Sequence, residues 1–78
     1  MSWNYRVLRE KTPDGYWYGI HTVYYDKNGK PDGHSLEKAG VGGDSMEDVR
    51  SCFQKFKRAL EEPVLEWVEG EGYREVTE

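Results

Sequence analysis

One amphipathic helix constrains this chain more than any other feature. In SMEDVRSCFQKFKRAL, Ser45 to Leu60, the residues Met46, Val49, Cys52, Phe53, Phe56 and Leu60 recur at three-or-four spacing, which lines them along one side of a helix. Ser45 can cap it, with Asp48 three residues on approximating a capping box. Glu47 and Asp48 lie in the first turn and Lys55, Lys57 and Arg58 near the end, as the helix dipole favours, and Pro63 prevents continuation. A single apolar stripe needs a surface to cover, and the segments around it have strand patterns. A helix on a sheet follows.

The first of those segments, Met1 to Arg9, alternates, with Trp3, Tyr5 and Val7 on one parity and Asn4, Arg6 and Leu8 on the other. Thr12-Pro13-Asp14-Gly15 is turn chemistry, because Pro presets φ and Gly accepts a positive φ. A strand within GYWYGIHTVYYD should therefore pair back antiparallel. With Pro13, Asp14 and Gly15 as a three-residue loop, Thr12 faces Tyr16 and odd residues pair with odd. That register puts Trp3, Tyr5, Val7, Trp17, His21, Val23 and Tyr25 on one face, under the helix. Arg6, Leu8, Tyr18, Ile20, Thr22 and Tyr24 go to the other.

Asn28-Gly29 within DKNGKPDG marks a second turn, so a third strand is expected from about His34 to Val41, at an edge because its apolar content is low. Val64 to Val68 reads as a short fourth strand or as an extended segment laid on the sheet. Gly70 to Glu78 shows no period and much charge, and reads as a flexible acidic tail with Tyr73 and Val76 as its only anchors. The expectation is one α+β domain over residues 1–69: an antiparallel sheet of three to four strands with one long helix on one face, β-β-β-α-β, followed by a tail over residues 70–78.

At 78 residues such a domain buries only about 60% of its unfolded surface, which leaves little room for an internal active-site cavity. Eleven aromatics argue against disorder throughout, despite 33% charged residues. The lone Cys52 forms no intramolecular disulfide, and no leader or long apolar run is present, which points to a reducing cytoplasm and no membrane partner. The net charge of −4 is uneven: residues 1–60 hold ten Lys and Arg against eight Asp and Glu, while residues 61–78 hold seven Glu against Arg74. The acidity of the end of the chain argues against direct nucleic-acid binding.

No catalytic constellation emerges. GVGGDS before the helix lacks the Lys-Ser/Thr of a phosphate loop, and Asp44, Glu47 and Asp48 already occupy the positive helix end. DKNGKPDG has Asp26, Asn28 and Glu37 at positions one, three and twelve of a calcium loop, but Lys30 at five and Pro31 at six oppose it. His21 reads as a hydrogen-bonded core histidine and Cys52 as an inert thiol on the buried stripe. No metal site, cofactor or enzymatic activity is expected.

What remains is the outer face, Arg6, Leu8, Tyr18, Ile20, Thr22 and Tyr24, whose composition suits an interface, although an antiparallel sheet also tolerates a wet face. The leading expectation is a non-enzymatic interaction module that self-associates, as a homodimer, or binds a protein partner there. The alternative is an acidic inhibitor or regulator whose Glu-rich tail engages a nucleic-acid-acting protein. SWNYRV, GIHTVYYDKNGKP and ALEEPVLEW resemble a group of small uncharacterised bacterial proteins over most of the chain, which implies a bacterial or phage origin. The strand-strand-strand-helix order, with GGDSMEDVRSCFQKFKRALEE, is more loosely similar to the partial RNase-H-like domain of HicB antitoxins, without their Pro-Asp-Leu-Pro-Gly-Cys type segment or separate DNA-binding region. That similarity implies the fold, and an antitoxin-type role as a further alternative.

Overall fold

The computed structural model describes residues 2–76. Five strands and one helix follow in the order β1 (Ser2–Thr12), β2 (Gly15–Tyr25), β3 (Pro31–His34), α1 (Met46–Ala59), β4 (Val64–Val68) and β5 (Gly72–Val76). The sheet order is β3-β2-β1-β4-β5. The chain is thus α+β with one helix on a sheet, as expected. The sheet is larger than expected and mixed, because β4 runs parallel to β1 through Leu8 and Arg9, paired with Leu65 and Glu66.

The hairpin register corrects the sequence reading by one residue. Thr12 pairs with Gly15, not Tyr16, so only Pro13 and Asp14 form the loop, and Gly15 holds a φ of 130° that a side chain would resist. A slip of one exchanges the faces of β2 relative to β1. Arg6 therefore lies opposite His21, Asn4 opposite Val23 and Tyr5 opposite Thr22.

Consequently both faces are occupied. On one, Leu8, Val23 and Leu65 form the buried cluster, with Tyr25 and Tyr73 packed against it. On the other, α1 packs on β1, where Phe56 meets Tyr5 edge-on at 4.7 Å between ring centroids and Tyr5 in turn meets Trp3. The helix begins where Ser45 Oγ accepts from the Asp48 backbone N–H at 3.1 Å, as its sequence suggested.

Three further expectations change. The third strand is short, Pro31–His34, but its chain keeps to the edge of β2: Ser35 and Ala39 donate backbone bonds to the carbonyls of Thr22 and Ile20. The segment read as an acidic tail instead returns as β5, paired along all of β4 from Val64–Val76 to Val68–Gly72. Gly70 and Gly72, at φ 84° and 87°, supply the reversal. Of the expected tail, Thr77 and Glu78 lie outside the described residues, as does Met1 of the first strand.

Candidate functional site

The six residues expected to share an outer face do not share one. Arg6 and Leu8 project with Val23 and His21 into the buried cluster's face, whereas Tyr18, Ile20, Thr22 and Tyr24 share the face of Tyr5 and α1. The reason is the shifted register: the expected set combined even residues from two strands that pair odd with even. Tyr18 and Tyr24 remain substantially exposed, Ile20 and Thr22 are half-buried, and no single patch unites all six.

The clustered face is a concave surface, because the sheet curls until its two edge strands meet. His34 Nδ1 of β3 and the Tyr73 hydroxyl of β5 are hydrogen-bonded at 2.5 Å, and the two rings also meet edge-on. Beside them His21, only 2% exposed, bonds the Ser35 carbonyl through Nδ1 at 2.9 Å, so that nitrogen carries the proton. His21 is therefore a hydrogen-bonded core histidine, and the shifted register makes Arg6 its cross-strand neighbour. Deeper in the same face Arg6 donates to Tyr25 Oη at 3.0 Å and to the Pro63 carbonyl at 2.8 Å, and Tyr25 donates on to Asn4. These groups tie strands together; among the described residues no group of three potential metal ligands converges.

The clasp at His34 has a pH signature. Burial, and secondly the neighbouring His21, hold the His34 imidazolium disfavoured and its pKa below the ordinary 6.5. Glu10 of β1 opposes this from its side, and Asp32 acts on Tyr73, whose own pKa burial raises. The unfolded chain thus takes up the proton first as pH falls below about 6.5, and stability drops until the folded-state value is passed. Urea midpoints measured from pH 7.5 down to 5.5 are expected to fall, and Tyr73→Phe to lower stability by about 1 kcal/mol at neutral pH. A flat profile over that range would remove the clasp as a source of acid sensitivity.

The convex face carries the less satisfied surface. Successive residues of α1 are rotated by about 100°, so Ala59, Cys52 and Phe56 form the flank toward β1, while Met46, Phe53 and Leu60, spaced by seven, form a row about a quarter-turn away. That row is exposed: Met46 by 63%, Phe53 by 56% and Leu60 by 69%. Cys52, expected on the buried stripe, is only half-buried, its Sγ 3.8 Å from the Gly40 carbonyl. The helix stripe is wider than the sheet surface it covers.

Beyond the row lies the β4–β5 hairpin. Its Val64, Val68 and Val76 share the helix-side face and are half-buried, because α1 packs on β1 and does not extend across these strands. Near the helix end an open groove of about 500 Å³ is bordered by Leu60, Pro63, Val64 and Val76 and by the carboxylates Glu61, Glu62 and Glu75. Further along the same face Glu66, buried to 7% exposure, accepts from Arg9 at 3.4 Å and from Arg74 Nε at 2.9 Å. Those two guanidinium groups, Arg74 first, hold the Glu66 carboxyl below the usual carboxylate range.

Sequence reasoning identified every residue of the row but assigned all of it to the core. The available signal was the width of the stripe: six apolar positions span more than one sheet-facing flank. No helix is long and apolar enough to cross a membrane. No family model, curated protein or solved structure matches the chain.

Proposed function

We propose that this protein is a non-enzymatic interaction module that docks a protein partner on its convex face, between the outer flank of α1 and the β4–β5 hairpin. The observation that carries this reading is the exposed row Met46, Phe53 and Leu60 beside the half-buried valines of an uncovered hairpin. Exposed apolar side chains of this kind, set among charged groups, are characteristic of interfaces. The site expected from sequence thus moves from the strand residues Arg6 to Tyr24 to the helix flank, on the face that still holds Tyr18, Ile20, Thr22 and Tyr24. An antitoxin-type role is one form such a module takes. The acidic-inhibitor alternative relied on a free glutamate-rich tail, and with Gly72–Val76 paired in a strand it loses that support.

Photo-crosslinking in the source cells tests the reading. A photoreactive residue in place of Phe53 is expected to give discrete protein adducts, whereas the same group at Lys27, in an exposed turn remote from the row, gives none. Absence of adducts from position 53, with the protein folded, would refute it.

A further inference from the structure

We propose that one end of the concave face binds a quaternary ammonium group, held between Trp17 of β2 and Trp67 of β4 over the carboxylate of Glu10 in β1. This site lies on the opposite side of the sheet from the docking face and is independent of it.

The sheet gathers the three residues. Glu10 pairs directly with Trp17, so both side chains leave the face that holds Leu8 and His21. Trp67 follows Leu65 by two residues and lies opposite Tyr73, which puts it on that face too. In the strand order β2-β1-β4 the carboxylate stands between the two indoles, on strands about 10 Å apart at the usual spacing. Glu10, Trp67 and His34 border one open cavity of about 740 Å³, and the Glu10 charge acts on the His34 imidazole across it.

Charge selects the occupant. The faces of an indole are negative, and so is Glu10, which has no ion pair among the described residues. Both tryptophans are about half exposed, so apolar surface and negative potential coincide. The remaining charges around the cavity are answered or face elsewhere: Arg9 and Arg74 are held by Glu66, and Lys11 lies opposite Tyr16 on the other side of the sheet. Glu69 adds a second carboxylate. An anion is disfavoured here, and a cation is drawn in.

The chain already seats one ammonium at this place. Lys38 Nζ lies over the Trp17 ring, 4.5 Å from its centroid, and the lysine methylenes cross Gly19, where an added Cβ would come within 2.8 Å of them. The missing side chain at Gly19 thus opens a track for an alkyl stem that ends at an indole. Among the described residues no cation covers Trp67, so half of the site stays open. A hard metal ion is a poor match, because it needs several oxygen ligands and the cavity offers no converging group of three among the described residues. A quaternary ammonium brings charge to Glu10 and methyl surface to both rings, the combination that aromatic cages recognise. Lys38 is then the resident competitor that the ligand displaces.

The probes are choline, its uncharged isostere dimethylbutanol, and a short peptide carrying trimethyllysine, each titrated into the full chain and read by the indole N–H resonances in NMR. Choline is expected to shift Trp17 and Trp67 but not Trp3, which lies on the other face beside Tyr5. The uncharged isostere should bind at least tenfold more weakly. Glu10→Gln should weaken choline at least threefold, and Lys38→Ala should tighten it at least threefold. An unmoved Trp3 resonance shows that each variant is folded. A peptide that binds at least tenfold tighter than choline assigns the group to a modified side chain of another protein, and any smaller preference assigns it to a free small cation. No shift of Trp17 or Trp67 up to about 50 mM choline, well above the millimolar affinity that two such ring contacts support, would overturn the proposal. Equal binding of the isostere, or a choline affinity unchanged in both variants, would overturn it as well.

Discussion

Leu65→Ala is expected to lower stability by about 3 kcal/mol, whereas Leu60→Ala, five residues earlier, should change it by less than about 0.5 kcal/mol. Leu65 is 1% exposed, in the cluster with Leu8 and Val23, so its truncation removes buried contacts and leaves a cavity. A 78-residue chain has about 4 to 12 kcal/mol of total stability, and the first variant would therefore lose a large part of it. Urea unfolding at pH 7.5 measures both. Comparable losses for the two leucines would mean that the helix flank belongs to the core.

The second large effect concerns Arg6, a charged side chain only 6% exposed in the concave face. Its guanidinium bonds Tyr25 and the Pro63 carbonyl, which secures the connection from α1 into β4; the contact with Glu75 is a long 3.5 Å to an exposed carboxylate. Arg6→Ala is expected to cost about 2 to 3 kcal/mol, because it opens space and leaves the Pro63 carbonyl unpaired. Glu75→Gln should cost less than about 0.5 kcal/mol, since an exposed, poorly aligned ion pair contributes little. Arg6→Lys should not restore stability: one ammonium cannot reproduce a fork that reaches two acceptors. Equal effects at Arg6 and Glu75 would assign the stabilisation to the ion pair.

How far the sequence disclosed this arrangement follows from local physics. The helix, its Ser45 cap and its end before Pro63 were legible because capping and three-or-four spacing are short-range signals. The first hairpin was legible in its existence but not in its register. Pro13-Asp14-Gly15 suits a two-residue or a three-residue loop, and apolar residues on both parities of β1 and β2 could not arbitrate. Both parities are apolar because both faces are covered, one by α1 and one by the sheet's own curl.

The β4–β5 hairpin was hidden for a different reason. Glu66, Arg74 and Glu75 made its strands look like solvated charge, and only the structure shows Glu66 neutralised between Arg9 and Arg74 from three different strands. Tyr73 and Val76, singled out as anchors, are the residues that hold β5: one reaches His34 and the other pairs with Val64. The docking surface was missed as a consequence. A stripe read as wholly buried leaves no exposed flank, and the expected site was sought on the sheet.

The central claim is that Phe53 belongs to a surface and not to the fold. Urea unfolding of Phe53→Asp, beside the wild type at pH 7.5, tests it without any partner. A midpoint unchanged, or shifted by less than about 0.5 kcal/mol, is expected for a half-exposed position on the outer flank of α1. A loss of 2 kcal/mol or more would place Phe53 in the core and contradict the proposed docking face.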